Sequence, residues 1–185
     1  MENSENSKKL CSLCGFCCTG IIVDIVAIFD DEPKDMFLHL INEKEVDGSS
    51  QLFFSLPCPY HSGHHCKIYE DAPKTCKKYQ CKLLKNFESG KIDFNHALSK
   101  INLVKDLASQ IDSFLKKYGY NNENESWRKR VYNLYRTKYP NLDKSGYSKH
   151  NAEFLLNVSA IDVYSKKYFI PEKKKKENIL QTVQF

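Results

Sequence analysis

Along this chain the spacing of apolar residues becomes helical after residue 81. Downstream, Phe94, Ala97, Ile101, Val104, Ala108, Ile111, Leu115 and Tyr118 follow one another at alternating spacings of three and four, one face of an α-helix. Asp93 stands where an N-cap belongs and Gly119 supplies the stop. A second helix is predicted from about Glu123 to Tyr139, with Trp127, Val131, Leu134 and Tyr135 as its stripe and Pro140 as its end. A third is predicted from near Ser148 to about Tyr168, with Phe154, Leu155, Val158, Ile161 and Tyr164 facing inward and Pro171 beyond it. Three amphipathic helices can bury one another's stripes in a small bundle.

Upstream the periods are short and broken. Residues 21–28 are rich in β-branched side chains, with Ile21, Val23 and Ile25 on one alternating face and Asp24 on the other, which predicts a strand. Asp30 or Asp31 is positioned to cap a helix reaching about Asn42, with Glu32 and Pro33 in its first turn and Met36, Phe37, Leu40 and Ile41 as its stripe. The loop EVDGSS ends that helix, and Gln51 to Leu56 reads as extended. From Pro57 to Cys81, prolines 57, 59 and 73 leave loop with short helical turns. Such a stretch buries little apolar surface, so cross-linking by a metal would help it fold. The expected fold class is mainly α, with an irregular, metal-stabilised, cysteine-rich N-terminal module and few short strands at most. The expected division is a cysteine module at 1–90, a three-helix extension at 91–170 and a basic tail at 171–185, expected to be disordered.

Composition keeps the chain within the globular range: of 185 residues, 41% are hydrophobic and 28% charged, which excludes low-complexity and collagen-like architecture. Charge is unevenly divided. Residues 1–81 hold 8 Lys+Arg and 12 Asp+Glu, a formal −4, whereas residues 82–185 hold 20 and 11, a formal +9. The longest early apolar stretch, Ile21 to Phe29, includes Asp24 and is far shorter than the roughly 20 residues of a membrane-crossing helix. The polar start MENSENSKKL resembles no secretory signal, so a cytoplasmic, reducing location and no membrane association are expected.

That expectation bears on the cysteines. There are eight, all between Cys11 and Cys81. A disulfide framework needs an oxidising compartment, so metal ligation accounts for them better. CSLCGFCC places Cys11, Cys14, Cys17 and Cys18 within eight residues, and two-residue separations let a turning backbone aim successive sulfurs at one centre. Gly15 permits the turn. Adjacent Cys17 and Cys18 ordinarily project in different directions, so one is expected to serve a second site. Cys58, Cys66, Cys76 and Cys81 form the second group. Eight thiols can fill two closed four-coordinate zinc sites, or hold an iron–sulfur cluster such as [4Fe-4S], which Cys11, Cys14, Cys17 and a remote Cys58–Pro59 pair would suit. The simplest grouping is Cys11, Cys14, Cys17 and Cys58 against Cys18, Cys66, Cys76 and Cys81. His61, His64 and His65 are weaker ligand candidates, as natural in an exposed turn.

CSLCGFCC at 11–18 and CPYHSGHHCKIYEDAPKTCKKYQC at 58–81 closely resemble the CxxCxxCC cysteine-cluster family, the YkgJ-like proteins described as chelating zinc or iron. The match covers all eight cysteines, the Cys58–Pro59 pair and the segment from Cys66 to Cys76. Where the family commonly has Arg before that segment's proline, Ala72 stands here. A related cysteine region occurs in flagellin lysine N-methylases, so the resemblance implies a metal module, and an enzyme modifying a protein or peptide as the alternative.

Other chemistry finds little support. There is no GxGxxG, phosphate loop or HExxH pair. Arg128, Lys129 and Arg130 near Trp127, with Lys173 to Lys176, could engage nucleic acid, but a solvated basic face is the better reading. A protein or peptide partner on the basic half, or a structural zinc module with such a half, completes the expectations. No catalytic residue is assigned.

Overall fold

The computed structural model describes residues 2–29, 31–32, 35–46, 48–63, 65–138 and 149–171. It begins with a helix that the apolar pattern did not announce, α1 (Glu2–Cys14). Its polar sequence has one strong anchor, Leu10, fully buried, and the helix packs on two later ones, α3 (Lys82–Glu88) and α4 (Phe94–Lys117). Gly15 ends it at φ +67°, its N–H donating to the Cys11 carbonyl at 3.1 Å. A side chain at that φ would be strained, which is why glycine so often follows the last helical residue.

A three-stranded antiparallel sheet follows, β1 (Ile25–Ile28), β2 (Ile41–Val46) and β3 (Ser49–Ser55), with β3 in the middle. The strand predicted from Ile21 is therefore shorter than expected. Ile21, Ile22 and Val23 are all buried in irregular backbone ahead of it, so no alternation holds there. The helix predicted through Asn42 is also corrected. Asp35–Phe37 forms one 3-10 turn, and Ile41 opens a strand, with Ile41 opposite Phe54. Phe37 stacks on Phe54, ring centroids 5.6 Å apart, and the pairing of β2 with β3 outweighs local helical preference. Val46 stands opposite Ser49, so β2 and β3 form a hairpin within the stretch EVDGSS. Asp31 pairs with Lys74, and Glu32 accepts from the Phe29 N–H at 2.6 Å. Asp30 and Pro33 lie outside the described residues.

Between the sheet and the helical half run a small hairpin, β4 (His61–Ser62) and β5 (His65–Cys66), a 3-10 turn at Tyr69–Asp71, a short helix α2 (Lys74–Lys78), and α3. This agrees with loop and short helical turns. α4 follows the predicted period: the His96 N–H donates to the Asp93 carboxylate at 2.7 Å, and Ala97, Ile101, Val104, Ala108, Ile111 and Leu115 are buried. The next helix, α5, runs Trp127–Lys138, starting later than predicted, and buries Trp127, Val131 and Leu134 while Tyr135 is exposed. The last, α6 (Lys149–Tyr164), continues as a π turn through Phe169, with Phe154 and Ile161 buried. The expected caps at Pro140 and Ser148 and the tail beyond Pro171 fall outside the described residues. The fold is mainly α with a few short strands, as the sequence suggested.

The cysteine-bearing half and the helical half share one hydrophobic core. Phe16, between Cys14 and Cys17, meets Phe169 edge-on at 5.2 Å. Just after Cys18, the Thr19 and Gly20 carbonyls accept from the Trp127 and Arg128 N–H groups, both at 3.2 Å. That contact satisfies two of the orphan donors at the start of α5. Gly20 sits at φ +81°, and a Cβ there would lie 2.6 Å from the Ser126 Cβ. Asp24 completes the joint, accepting from the Ser126 hydroxyl at 2.7 Å and standing 3.7 Å from buried Arg128. Two of the basic residues near Trp127 are thus turned inward: Arg128 is only 7% exposed, and Arg130 faces Asp112 at 3.8 Å.

Candidate metal centre

All eight cysteines line one cavity of about 140 Å³. They arrive on several different local devices. Cys11 and Cys14 stand on the last turn of α1 at i and i+3, the spacing that puts two side chains on one helix face. Gly15 then reverses the chain so that Cys17 and Cys18 follow in a turn. Cys58 follows the central strand β3 by three residues, its N–H donating to the Cys18 carbonyl at 2.8 Å, which ties the two cysteine groups through the backbone. Cys66 is on β5, opposite His61. Cys76 is on α2, which Thr75 fastens to β1 by donating to the Ala27 carbonyl at 2.7 Å. Cys81 is the N-cap of α3, its sulfur accepting from the Leu84 N–H at 3.5 Å. None of the eight is in a disulfide.

The walls are apolar, with Leu10, Phe16, Phe54, Leu83, Ile101 and Phe169 among them, and no Asp or Glu among the described residues lines the cavity. Burial therefore dominates the thiol chemistry. It raises Cys11 to about 11 and Cys76 to about 12, from an ordinary value of 9.0, with neighbouring cysteines adding to the rise. Cys14, Cys17 and Cys18 are also pushed well above 9.0, by burial first, with neighbouring cysteines adding to the rise and a backbone hydrogen bond from Phe16 opposing it at Cys14. Cys58 and Cys81 are also raised by burial, opposed in each by backbone N–H groups. A thiol in apolar surroundings beside other thiols resists ionisation. A bound cation reverses that, since a coordinating thiol is deprotonated outright.

As placed, no group of three or more His, Cys, Asp or Glu side chains among the described residues is gathered closely enough to hold one ion. The sulfurs line a common space and would have to close inward on a centre. Cys17 and Cys18, adjacent in the turn after Gly15, both line it. Of the histidines, His61 lines the cavity, its Nε2 within 2.9 Å of where a Gly15 Cβ would be. His65 is exposed and outside it, and His64 lies outside the described residues. Ala72 is buried in the wall. Tyr79 was not anticipated: it also lines the cavity, and burial followed by the charge of Cys17 raises its phenol well above 10.0. Its place in YQC, two residues before Cys81, was the available signal.

Three comparisons bear on this geometry. Residues 10–101 match the model of the CxxCxxCC family, whose description is "Putative zinc- or iron-chelating domain". No curated protein matches, and no solved structure matches. The matched stretch takes in the cavity from α1 through the first turns of α4, and no described helix is long and apolar enough to cross a membrane.

Proposed function

Because the chain carries a CxxCxxCC domain over residues 10–101, we propose that Cys11, Cys14, Cys17, Cys18, Cys58, Cys66, Cys76 and Cys81 are the ligands of a thiophilic metal centre. The observation that carries this reading is that all eight cysteines, from helix ends, a turn, the segment after β3 and a hairpin, line one apolar cavity. The donor set fits such a centre. Calcium and magnesium need oxygen ligands, and the cavity wall offers no carboxylate among the described residues. Soft thiolates select zinc, copper(I) or iron–sulfur clusters.

An iron–sulfur cluster is the first reading. Cys11, Cys14 and Cys17 have the two-residue separations of ferredoxin ligands, and Cys58–Pro59 supplies the remote Cys-Pro pair. A volume of about 140 Å³ also exceeds the share of a single water, roughly 30 Å³, several-fold, so a polynuclear centre can be housed. Zinc is the second reading, since four thiolates close a tetrahedral site and the set supplies four twice. When bound, either centre supplies fixed positive charge, and a cluster adds electron transfer. The chain's own part is to orient the sulfurs and exclude water with Phe16, Phe54, Leu83 and Phe169.

Anaerobic purification with elemental analysis, acid-labile sulfide assay and an optical spectrum separates the readings. Iron with sulfide and a brown colour is expected from the first, zinc without colour from the second. If neither metal copurifies and the reduced chain takes up neither on reconstitution, the proposal is wrong.

A further inference from the structure

We propose that metal enters and leaves the cavity through a mouth rimmed by Cys11, Tyr69, Cys76 and Lys77, and that Cys11 and Cys76 are the thiols at which a soft metal ion passes between the protein and a small external ligand. This rests on the metal-binding reading above and adds the route and the order in which the ligands are reached.

Exposure singles out the rim. Of the described residues lining the cavity, Cys11, Tyr69, Cys76 and Lys77 alone are exposed. The other six cysteines are half-buried, and the wall behind them, from Leu10 and Phe16 to Ile101 and Phe169, is buried. Contacts at the surface bring the exposed four to one place. Lys8 stands three residues before Cys11 on α1, the spacing of a shared helix face, and its Nζ lies 5.2 Å over the Tyr69 ring. Lys77 follows Cys76 on α2 and donates from Nζ to the Glu70 carbonyl, next to Tyr69. The turn Tyr69–Asp71 is thereby tied to α1 by Lys8 and to α2 by Lys77, and each helix contributes one exposed thiol beside it.

The chemistry of the wall agrees with that route. Drawing an ion out of water through apolar side chains is costly, and the rim offers two thiols before any phenylalanine or leucine has to be passed. Tyr69 is 38% exposed while also lining the cavity, so its ring stands between the interior and solvent. Release is then a ligand exchange that starts at the rim. As donor atoms of the external ligand bond to the metal, the Cys11 and Cys76 sulfurs let go first, each freed thiolate takes a proton from solvent, and no oxidation state changes. Loading runs the same steps backward.

The test uses the full-length chain purified anaerobically with its metal. A short pulse of iodoacetamide followed by mass spectrometry reads the order in which the thiols react. Cys11 and Cys76 should be modified about tenfold faster than Cys14 and Cys17, because thiol reactivity follows access. Equal rates, or Cys14 and Cys17 ahead, overturn the mouth. Release of metal to EDTA gives a second reading. Tyr69→Ala should raise the part of the release rate that grows with EDTA concentration about threefold, as widening a gate does. A rise confined to the EDTA-independent part shows that Tyr69 merely steadies the fold and refutes the gate, as does no change in either part. Tyr135→Ala, which removes an exposed ring on α5 away from the cavity, is the control; an equal rise there also refutes it. A wild-type chain that holds no metal, as purified or after reconstitution, refutes instead the metal reading on which the route stands.

Discussion

The two halves of this molecule reach order by different routes. In the helical half, α4, α5 and α6 bury Ile101, Val104, Ile111, Leu115, Val131, Leu134 and Phe154 to 1% exposure or less, enough packing to define positions without help. In the cysteine half, the stretch from Cys58 to Cys81 contributes, among its described residues, only Ala72 and Pro73 as buried apolar side chains. Its backbone is held by isolated bonds such as Cys58 to Cys18 and Thr75 to Ala27. The difference teaches where a ligand can substitute for a core. Partly exposed thiols stand around one cavity where a core would offer leucine or valine, and a metal can bond to them.

Stripping the metal should give the largest effect and should split the halves. Structural zinc contributes roughly 10 kcal/mol or more to folding. Chelation should therefore abolish hydrogen-exchange protection through residues 58–81 while α4 keeps most of its own; equal loss in both would erase the contrast. The pH dependence has opposite signs with and without metal. Binding must displace protons from thiols raised to about 11 and 12 at Cys11 and Cys76, so affinity should fall as pH falls, about tenfold per unit for each proton displaced. In the metal-free chain the folded state favours the neutral thiol. Its contribution is present below the unfolded value of 9.0 and lost as pH rises from there through 11 and 12. Melting temperature against pH checks both.

Gly20→Ala should be the largest single effect at the joint between the halves. A left-handed residue costs roughly 1–2 kcal/mol, and overpacking against Ser126 another 1–3, so destabilisation of about 3 kcal/mol is expected by urea titration. Trp127→Phe should be smaller, about 1 kcal/mol, for the lost donation from Nε1 to the Asp112 carboxylate at 3.0 Å. If Trp127→Phe costs more than Gly20→Ala, the helical packing rather than the backbone seam joins the halves.

Legibility in the sequence followed the same divide. The extent of α4 was readable because Asp93, a continuous apolar period and Gly119 agree locally. The cysteine set was readable because eight thiols confined between Cys11 and Cys81, at spacings that suit ligation, carry their chemistry in the residue type itself. The helix placed through Asn42 failed where Phe37, Leu40 and Ile41 fit either period and the partner strand decided. α1 was missed because a single buried Leu10 leaves almost no periodic trace. Arg128 looked like surface charge, yet tertiary packing buries it beside Asp24 of the other half.

By itself the sequence determined the donor chemistry and the three-helix half, since thiol count, spacing and a 3.6-residue period are properties of neighbours along the chain. Tertiary structure alone decided which thiols are neighbours in space. It packed α3 on α1, tied the Cys58 N–H to the Cys18 carbonyl, and seated α5 on the turn that follows the cysteines. Those contacts depend on how distant segments pack, and chain order carries no measure of that distance.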